Sequence, residues 1–222
     1  MRKVIHQIYW DFYSTGKKAE DIEHYRIPME KTKKYCKDNN ILYNLWNYRL
    51  LEQLVVEHFH EYLDLWKYFW FPIQKADFIR YLILYKYGGI YIDCDVHPLN
   101  NINDLFERDY FFIKRKNGVH PYNAIMGSKP HQIVFFNIIE HCQESTFKKQ
   151  EMTIYRQWLG RLVFQTTGER MLDRVLKNNK NILNILCTDL EQLESTDKFF
   201  DFNKGEITTS LWYDDLMKYK FV

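Results

Sequence analysis

Two aspartates, Asp93 and Asp95, stand one residue apart in Tyr85-Lys86-Tyr87-Gly88-Gly89-Ile90-Tyr91-Ile92-Asp93-Cys94-Asp95-Val96. Residues two apart on a strand point to the same face, about 7 Å apart along it. Where such a strand relaxes at its tip, both carboxylates can converge on one cation and its bound phosphates. Carboxylates on a hard divalent ion, with phosphate oxygens and water completing the shell, are the usual setting of Mg or Mn. The spacing therefore points to metal-dependent chemistry on a diphosphate. An Asp-x-Asp arises often by chance in loops, so its surroundings carry the weight. The aspartyl-nucleophile phosphatase pattern also follows a strand but continues into Gly and Thr. Here the chain continues Val96-His97-Pro98, with no hydroxyl residue, and that reading fails.

The elements that must position the pair are legible around it. Pro72 is placed for the first turn of a helix that runs to about Tyr87 and stops at Gly88-Gly89. Ile90 to Asp93 is then a short apolar strand suited to the middle of a sheet. Further strands are expected at Val4–Trp10, Ile41–Trp46, Tyr110–Lys114, Ala124–Gly127 and Ile182–Cys187. Helices are expected at Ala19–Asp38, twice between Tyr48 and Phe69, at His131–Glu144 and at Gly168–Asn178. Strands alternating with helices imply an α/β sheet covered on both faces, with ligands at the C-terminal ends of the strands. Asp93 and Asp95 are where that rule puts them.

The helix from Pro72 is apolar nearly all round, which marks it as buried, yet it carries Asp77 and Arg80 on one face. Charges on a buried helix are costly unless paired. On the residues alone, a structural ion pair is the plainer reading, and contact with ligand hydroxyls is the functional one.

Bulk properties narrow the class. A chain of 222 residues is read as a single domain over 1–222. Charged residues are 27% and nearly cancel at +2, which argues against nucleic-acid partners and a polybasic membrane surface. Four scattered cysteines fit a reduced compartment rather than a disulfide scaffold or structural zinc. No run has the ~20 apolar residues of a membrane helix, and Met1-Arg2-Lys3-Val4 leads straight into a strand. A cytoplasmic protein without a transmembrane segment is expected, with peripheral contact at the inner face of a membrane allowed. The aromatic share is high, 18%, and is expected mostly in the core. His6, His97, His58 and His60 are given no role.

The stretch Lys75 to Val96 resembles the signature of the DXD-containing sugar transferases. These include the yeast outer-chain initiating mannosyltransferases, bacterial capsule and lipopolysaccharide enzymes and, more distantly, the glucosylating domain of the large clostridial toxins. Val4-Ile5-His6-Gln7-Ile8-Tyr9-Trp10 is similar to the family's first strand. Asn123 to His131 resembles its segment of Asn, small apolar strand and Pro-His helix start. Thr166-Thr167-Gly168-Glu169 resembles its Thr-Gly-Pro element with Glu169 in place of proline. Glu206-Ile207-Thr208-Thr209-Ser210-Leu211-Trp212 resembles the toxins' Ser-x-Trp loop, without the His-rich stretch many members carry.

The resemblance implies a single-domain GT-A fold, a Rossmann-like nucleotide-binding α/β fold with a mixed, mostly parallel sheet flanked by helices. It implies a retaining, Mn(II)- or Mg(II)-dependent glycosyltransferase of polysaccharide biosynthesis type. The partners would be a nucleotide-sugar donor, UDP-sugar first and GDP-mannose second, and a glycan or lipid-linked acceptor. Asp95 would bind the metal directly, and Asp93 would contact ribose, donor sugar or the metal through water. Asp77 and Arg80 would grip the donor sugar, with Tyr91 and Asn123 lining its pocket. Trp10 would stack on the nucleobase with Ile8 beside it, although a strand-end core tryptophan is the plainer alternative. Ser210 and Trp212 would close over the diphosphate, and Glu206, Ser210 or water would complete the metal shell. The acceptor would meet loops at Ile113–Tyr122 and Thr146–Gly160. A non-catalytic nucleotide-sugar binder and a sugar-nucleotide hydrolase are the alternatives.

Overall fold

The computed structural model describes residues 1–11, 15–114, 121–152, 159–178 and 200–202. Its centre is a five-stranded sheet in the order β2-β1-β3-β6-β5. The strands are β1 (Val4–Ile8), β2 (Leu42–Trp46), β3 (Gly89–Ile92), β5 (Tyr110–Lys114) and β6 (Pro121–Ser128). β1 pairs parallel with β2 and β3, while β6 pairs antiparallel with both β3 and β5. Four strands thus point one way and β6 alone runs against them, so the mixed, mostly parallel α/β expectation holds.

Both faces are covered, as the uninterrupted burial of β1 and β3 requires. On one face lie α2 (Tyr48–His58), α3 (Leu63–Tyr68), α4 (Pro72–Tyr87), α6 (Ile133–Met152) and α8 (Glu169–Asn178), whose apolar side chains pack with Ile8, Tyr91, Phe112 and Met126. On the other, Cys36 of α1 (Glu23–Asp38) and Leu105 and Phe106 of α5 (Asn103–Phe106) meet Ile5, Ile90, Ile92 and Phe111. The alternation along β3 turns Tyr91 toward α4, and Asp93, two residues on, faces the same way.

The link from α4 to β3 is two glycines with positive φ, 66° at Gly88 and 92° at Gly89. A Cβ on Gly89 would lie 2.7 Å from the Val4 carbonyl oxygen, and one on Gly88 2.8 Å from that of Ser128. Only glycine allows both the left-handed turn and the close approach to the neighbouring strand.

Two polar residues inside β1 are fully occupied. Gln7 Nε2 donates to the carbonyls of Asp93 at 3.0 Å and Val96 at 3.4 Å, and its Oε1 accepts from Tyr43 at 2.8 Å. His6 Nε2 lies 3.0 Å from the Gly88 carbonyl, and its Nδ1 lies 3.1 Å from the Trp46 indole N–H. The carbonyl needs a donor and the indole an acceptor, so the imidazole is neutral with its proton on Nε2. Burial, with Arg2 adding to it, pushes the His6 pKa down to about 4 despite the Gly88 bond. The native state therefore favours the neutral ring; that stability is complete above the ordinary value near 6.5 and is lost as pH falls toward 4. The loss should be about 3 kcal/mol across that window. Urea midpoints at pH 7 and pH 4.5 test this, because His6→Gln keeps a donor and an acceptor but cannot titrate. An equal drop in both proteins would sink the assignment.

The elements differ from expectation in several places. The first long helix begins only at Glu23, after a 3-10 turn at Ala19–Asp21. β6 extends over Pro121–Ser128, and α6 runs to Met152, so the first part of the Thr146–Gly160 segment is helix rather than loop. A short strand β4 (Val96–Pro98), paired with β7 (Phe200–Phe202), and the helix α7 (Leu159–Thr166) were not expected. The strand expected at Ile182–Cys187 lies outside the described residues, as do residues 115–120 of the other proposed acceptor loop.

Candidate active site

The first half of α4 and the C-terminal end of β3 meet in a buried polar network. The Arg80 guanidinium is its hub. Nη2 pairs with Asp77 Oδ1 at 2.9 Å, and Nη1 reaches Asp93 Oδ1 at 3.0 Å and the Asn123 carbonyl at 2.9 Å. Nε donates to the Ala76 carbonyl at 3.2 Å, and the guanidinium carbon lies 4.8 Å from the centre of the Tyr91 ring. Asp77 is held on both oxygens: Oδ1 also accepts from Asn123 Nδ2 at 3.1 Å, and Oδ2 accepts from Thr167 Oγ1 at 3.2 Å. The Tyr91 hydroxyl donates to Asp93 Oδ1 at 2.7 Å. Asp77, Arg80 and Asn123 are buried, so this network exists only because each charge has a counter-charge or a hydrogen-bond partner.

Burial pushes the Asp77 carboxyl up, and Arg80, Thr167 and Asn123 pull it back. Burial also lifts Asp93 to about 6, against the pull of Arg80 and with a further push from Asp95. The thiol between the two aspartates is no nucleophile: burial pushes Cys94 well up, and it donates to the Ile8 carbonyl at 3.1 Å.

Asp95 has a different setting. The chain leaves the strand after Ile92, and the Asp95 side chain keeps 35% of its surface exposed. Among the described residues, His24 Nε2 of α1 lies 3.7 Å from its Oδ2. No three His, Cys, Asp or Glu side chains among the described residues form a ready-made cage for a metal. The donor set that is present, a half-exposed Asp95 carboxylate close enough to Asp93 for its charge to raise that carboxyl, fits a hard divalent cation whose other ligands arrive with a diphosphate and water.

Of the residues singled out from the sequence, Asp77, Arg80, Tyr91, Asp93 and Asn123 are brought into one network. The ion pair expected on plain grounds is present, and it extends to Asp93. Asn123 spends its amide on Asp77. Ile8 is the last residue of β1; its side chain lies in the core and its carbonyl ties down Cys94. Trp10 is partly buried, edge-on to Tyr48 at 5.8 Å, and lines a cleft of about 490 Å³. Glu206, Ser210 and Trp212 lie outside the described residues. Gln7, His24 and Thr167 were given no site role in the sequence. Each comes from an element remote in the chain, and His24 has no local pattern that marks it.

Comparison with known proteins fits this geometry. The family described as glycosyltransferase sugar-binding region containing DXD motif matches residues 22–112, the stretch that holds Asp77, Arg80, Asp93 and Asp95. That stretch is therefore similar to the DXD glycosyltransferases. A mannosyl phosphorylinositol ceramide synthase of Saccharomyces cerevisiae is 28% identical over 212 residues, covering 91% of this chain and 51% of that protein. A second synthase of the same name and yeast is 31% identical over 141 residues, covering 62% of this chain and 34% of the other. The chain thus spans about half or less of the length of these relatives. Among solved structures, the PaToxG glycosyltransferase superposes with a TM-score of 0.53 at 15% identity, over 87% of this chain and 76% of that one. That likeness shows a shared fold, the GT-A type expected from the sequence.

Proposed function

We propose that the chain is a divalent-metal-dependent glycosyltransferase that moves a sugar from a nucleotide-sugar donor to a glycan or lipid-linked acceptor with retained configuration. The observation that carries it is the Asp77–Arg80–Asp93 chain of ion pairs, buried at the C-terminal ends of the parallel strands with Asp95 facing outward beside it. The names of the yeast relatives support mannose as the sugar and an inositol phosphoceramide type of acceptor. Among the described residues, no helix is long and apolar enough to cross a membrane.

Asp95, with Asp93 and the proposed Glu206 and Ser210, would hold the cation, which supplies charge neutralisation for the departing diphosphate. Arg80 and Asp77 would supply the charge beneath the donor sugar, and Tyr91 fixes Asp93. Asp77 has both oxygens engaged, and Oδ1 of Asp93 is taken by Arg80 and Tyr91. A carboxylate spent in this way is a poor covalent nucleophile. This supports attack by the acceptor on the face from which the diphosphate leaves, with a phosphate oxygen taking the acceptor's proton. A covalent sugar–enzyme species trapped in a slow variant would overturn that step.

The test is a donor screen with Mn(II) and no acceptor, reading which nucleotide sugar is slowly hydrolysed, followed by an acceptor panel. Slow hydrolysis that turns into transfer is the expected result. Binding without turnover would leave a nucleotide-sugar binder, and water as sole acceptor a hydrolase.

A further inference from the structure

The cleft beside Trp10 opens at the C-terminal end of β1 and at the first turn of α4. Its volume of about 490 Å³ is in the range of small-molecule sites. Trp10, Tyr48, Phe69 and Trp70 give it aromatic walls. Such rings are negative over their faces and attract polarised C–H bonds, so they suit the flat side of a sugar or cyclitol ring. Of the two charged residues in the lining, Asp11 is bound to its own loop, through Thr15 Oγ1 at 3.0 Å and the Gly16 N–H at 2.6 Å. Lys75 is the other.

Lys75 is held by rings rather than by a counter-charge. Its ammonium lies 5.1 Å from the centre of the Trp66 ring and 5.8 Å from that of Tyr48. Among the described residues no carboxylate lies within ion-pair distance of it. Burial lowers its pKa, and the Glu52 charge opposes that. The same corner holds a second donor: Trp66 Nε1 is buried and makes no hydrogen bond among the described residues. Its influence reaches the Tyr48 hydroxyl, whose ionised form it favours, and that hydroxyl donates to Glu52 at 3.5 Å. Donors thus outnumber acceptors around Lys75, and donors taken partly out of water are satisfied best by an anionic oxygen.

The donor's own diphosphate does not supply that oxygen. In the proposed reaction it sits with the cation at Asp95, beside His24 of α1. Tyr48 and Trp66 belong to α2 and α3, which pack on the opposite face of the sheet from α1. A nucleobase does not supply it either, because it is neutral. An anion carried by the second substrate does. Lys75 and Asp77 are two residues apart on α4, ~3 Å along its axis, so a ligand in the cleft borders the pocket proposed for the donor sugar. We propose that this aromatic cleft is the acceptor subsite, that it takes a ring polyol carrying a phosphate group, and that Lys75 is the specificity-determining residue, pairing with that phosphate. The proposal rests on the chain being a glycosyltransferase with a nucleotide-sugar donor.

The experiment is calorimetric titration of the protein, saturated with Mn(II) and UDP or GDP, with inositol monophosphate, inositol and inorganic phosphate as probes. Wild type should bind inositol monophosphate roughly tenfold tighter or more than either of the others, since one lacks the anion and the other the ring. Lys75→Met keeps the packed stem and should bring inositol monophosphate down to the level of inositol, with nucleotide affinity unchanged. Lys75→Arg keeps a cationic donor and should retain most of the preference, which shows that the methionine effect is not misfolding. Trp70→Ala should weaken inositol and its phosphate alike. A wild-type preference in Lys75→Met overturns the proposal, as does a wild type that takes inorganic phosphate as tightly as inositol monophosphate or binds neither. A parallel loss of nucleotide affinity in Lys75→Met also overturns it, and assigns the cleft to the donor. Absence of UDP and GDP binding by wild type would instead overturn the nucleotide-sugar reading itself.

Discussion

Asp95→Asn should lower metal-dependent sugar transfer by roughly two to three orders of magnitude while leaving the fold intact. The two halves of that expectation come from the same observation. Asp95 sits past the end of β3, half-exposed, with His24 Nε2 3.7 Å away, so the folded state spends little on it. Substitutions of this kind usually move stability by no more than about 0.5 kcal/mol. The amide is neutral and a weaker ligand for a hard cation, so the site loses most of the charge it offers beside the diphosphate. Turnover of the donor and Mn(II) affinity should fall together, with an unchanged urea midpoint. Full activity of this variant in the presence of a chelator would remove the metal from the mechanism.

Arg80→Ala should have the largest effect on stability. It strips the counter-charge from Asp77 and weakens the hold on Asp93 at once, and breaking a buried pair by deleting one partner costs about 3–5 kcal/mol. The loss should be pH-dependent in a defined direction. Without the guanidinium, burial raises both carboxyls further, and the variant should regain stability relative to wild type as pH falls from 7 toward 5. Chemical denaturation at the two pH values reads this directly, and an unchanged midpoint at pH 7 would contradict the network. The same variant separates structure from function when it is folded at the lower pH. If Arg80 also grips the donor sugar, affinity for the nucleotide sugar should fall more than affinity for the bare nucleoside diphosphate. Equal losses would leave Arg80 as a structural ion pair alone.

The parts of this site that were legible in the sequence are those that are local in the chain. Pro72 and Gly88 bound α4 at the residues the sequence suggests, because a missing N–H and a left-handed turn are requirements of single residues. Asp77, Arg80 and Asp93 fall within one helix–turn–strand unit, so their convergence follows from two periodicities. Thr167, in the turn between α7 and α8, reaches Asp77, and Gln7 of β1 reaches the Asp93 carbonyl, both from segments far away in sequence that no local rule places. The end of α6 was missed for a related reason. Its last turns are polar, and the sequence alone does not distinguish a solvated helix face from a loop. The charge of Lys75 was visible, but the rings that hold it come from α2 and α3.

The glycine reversal between α4 and β3 has a consequence for how this segment can vary. From Arg80 to Tyr87 the helix climbs ~10 Å, and from Gly89 to Asp93 the strand returns ~13 Å. The two arms match closely enough that the residues at their far ends touch. Chain and ion pair together close a ring, and its circumference is set by residue count. An extra residue in the helix would swing Arg80 about 100° around its axis, and one in the strand would turn Asp93 to the opposite side of the sheet. Side chains along the ring can be exchanged, but its length cannot. This stretch should therefore be the part of the chain least tolerant of insertion or deletion.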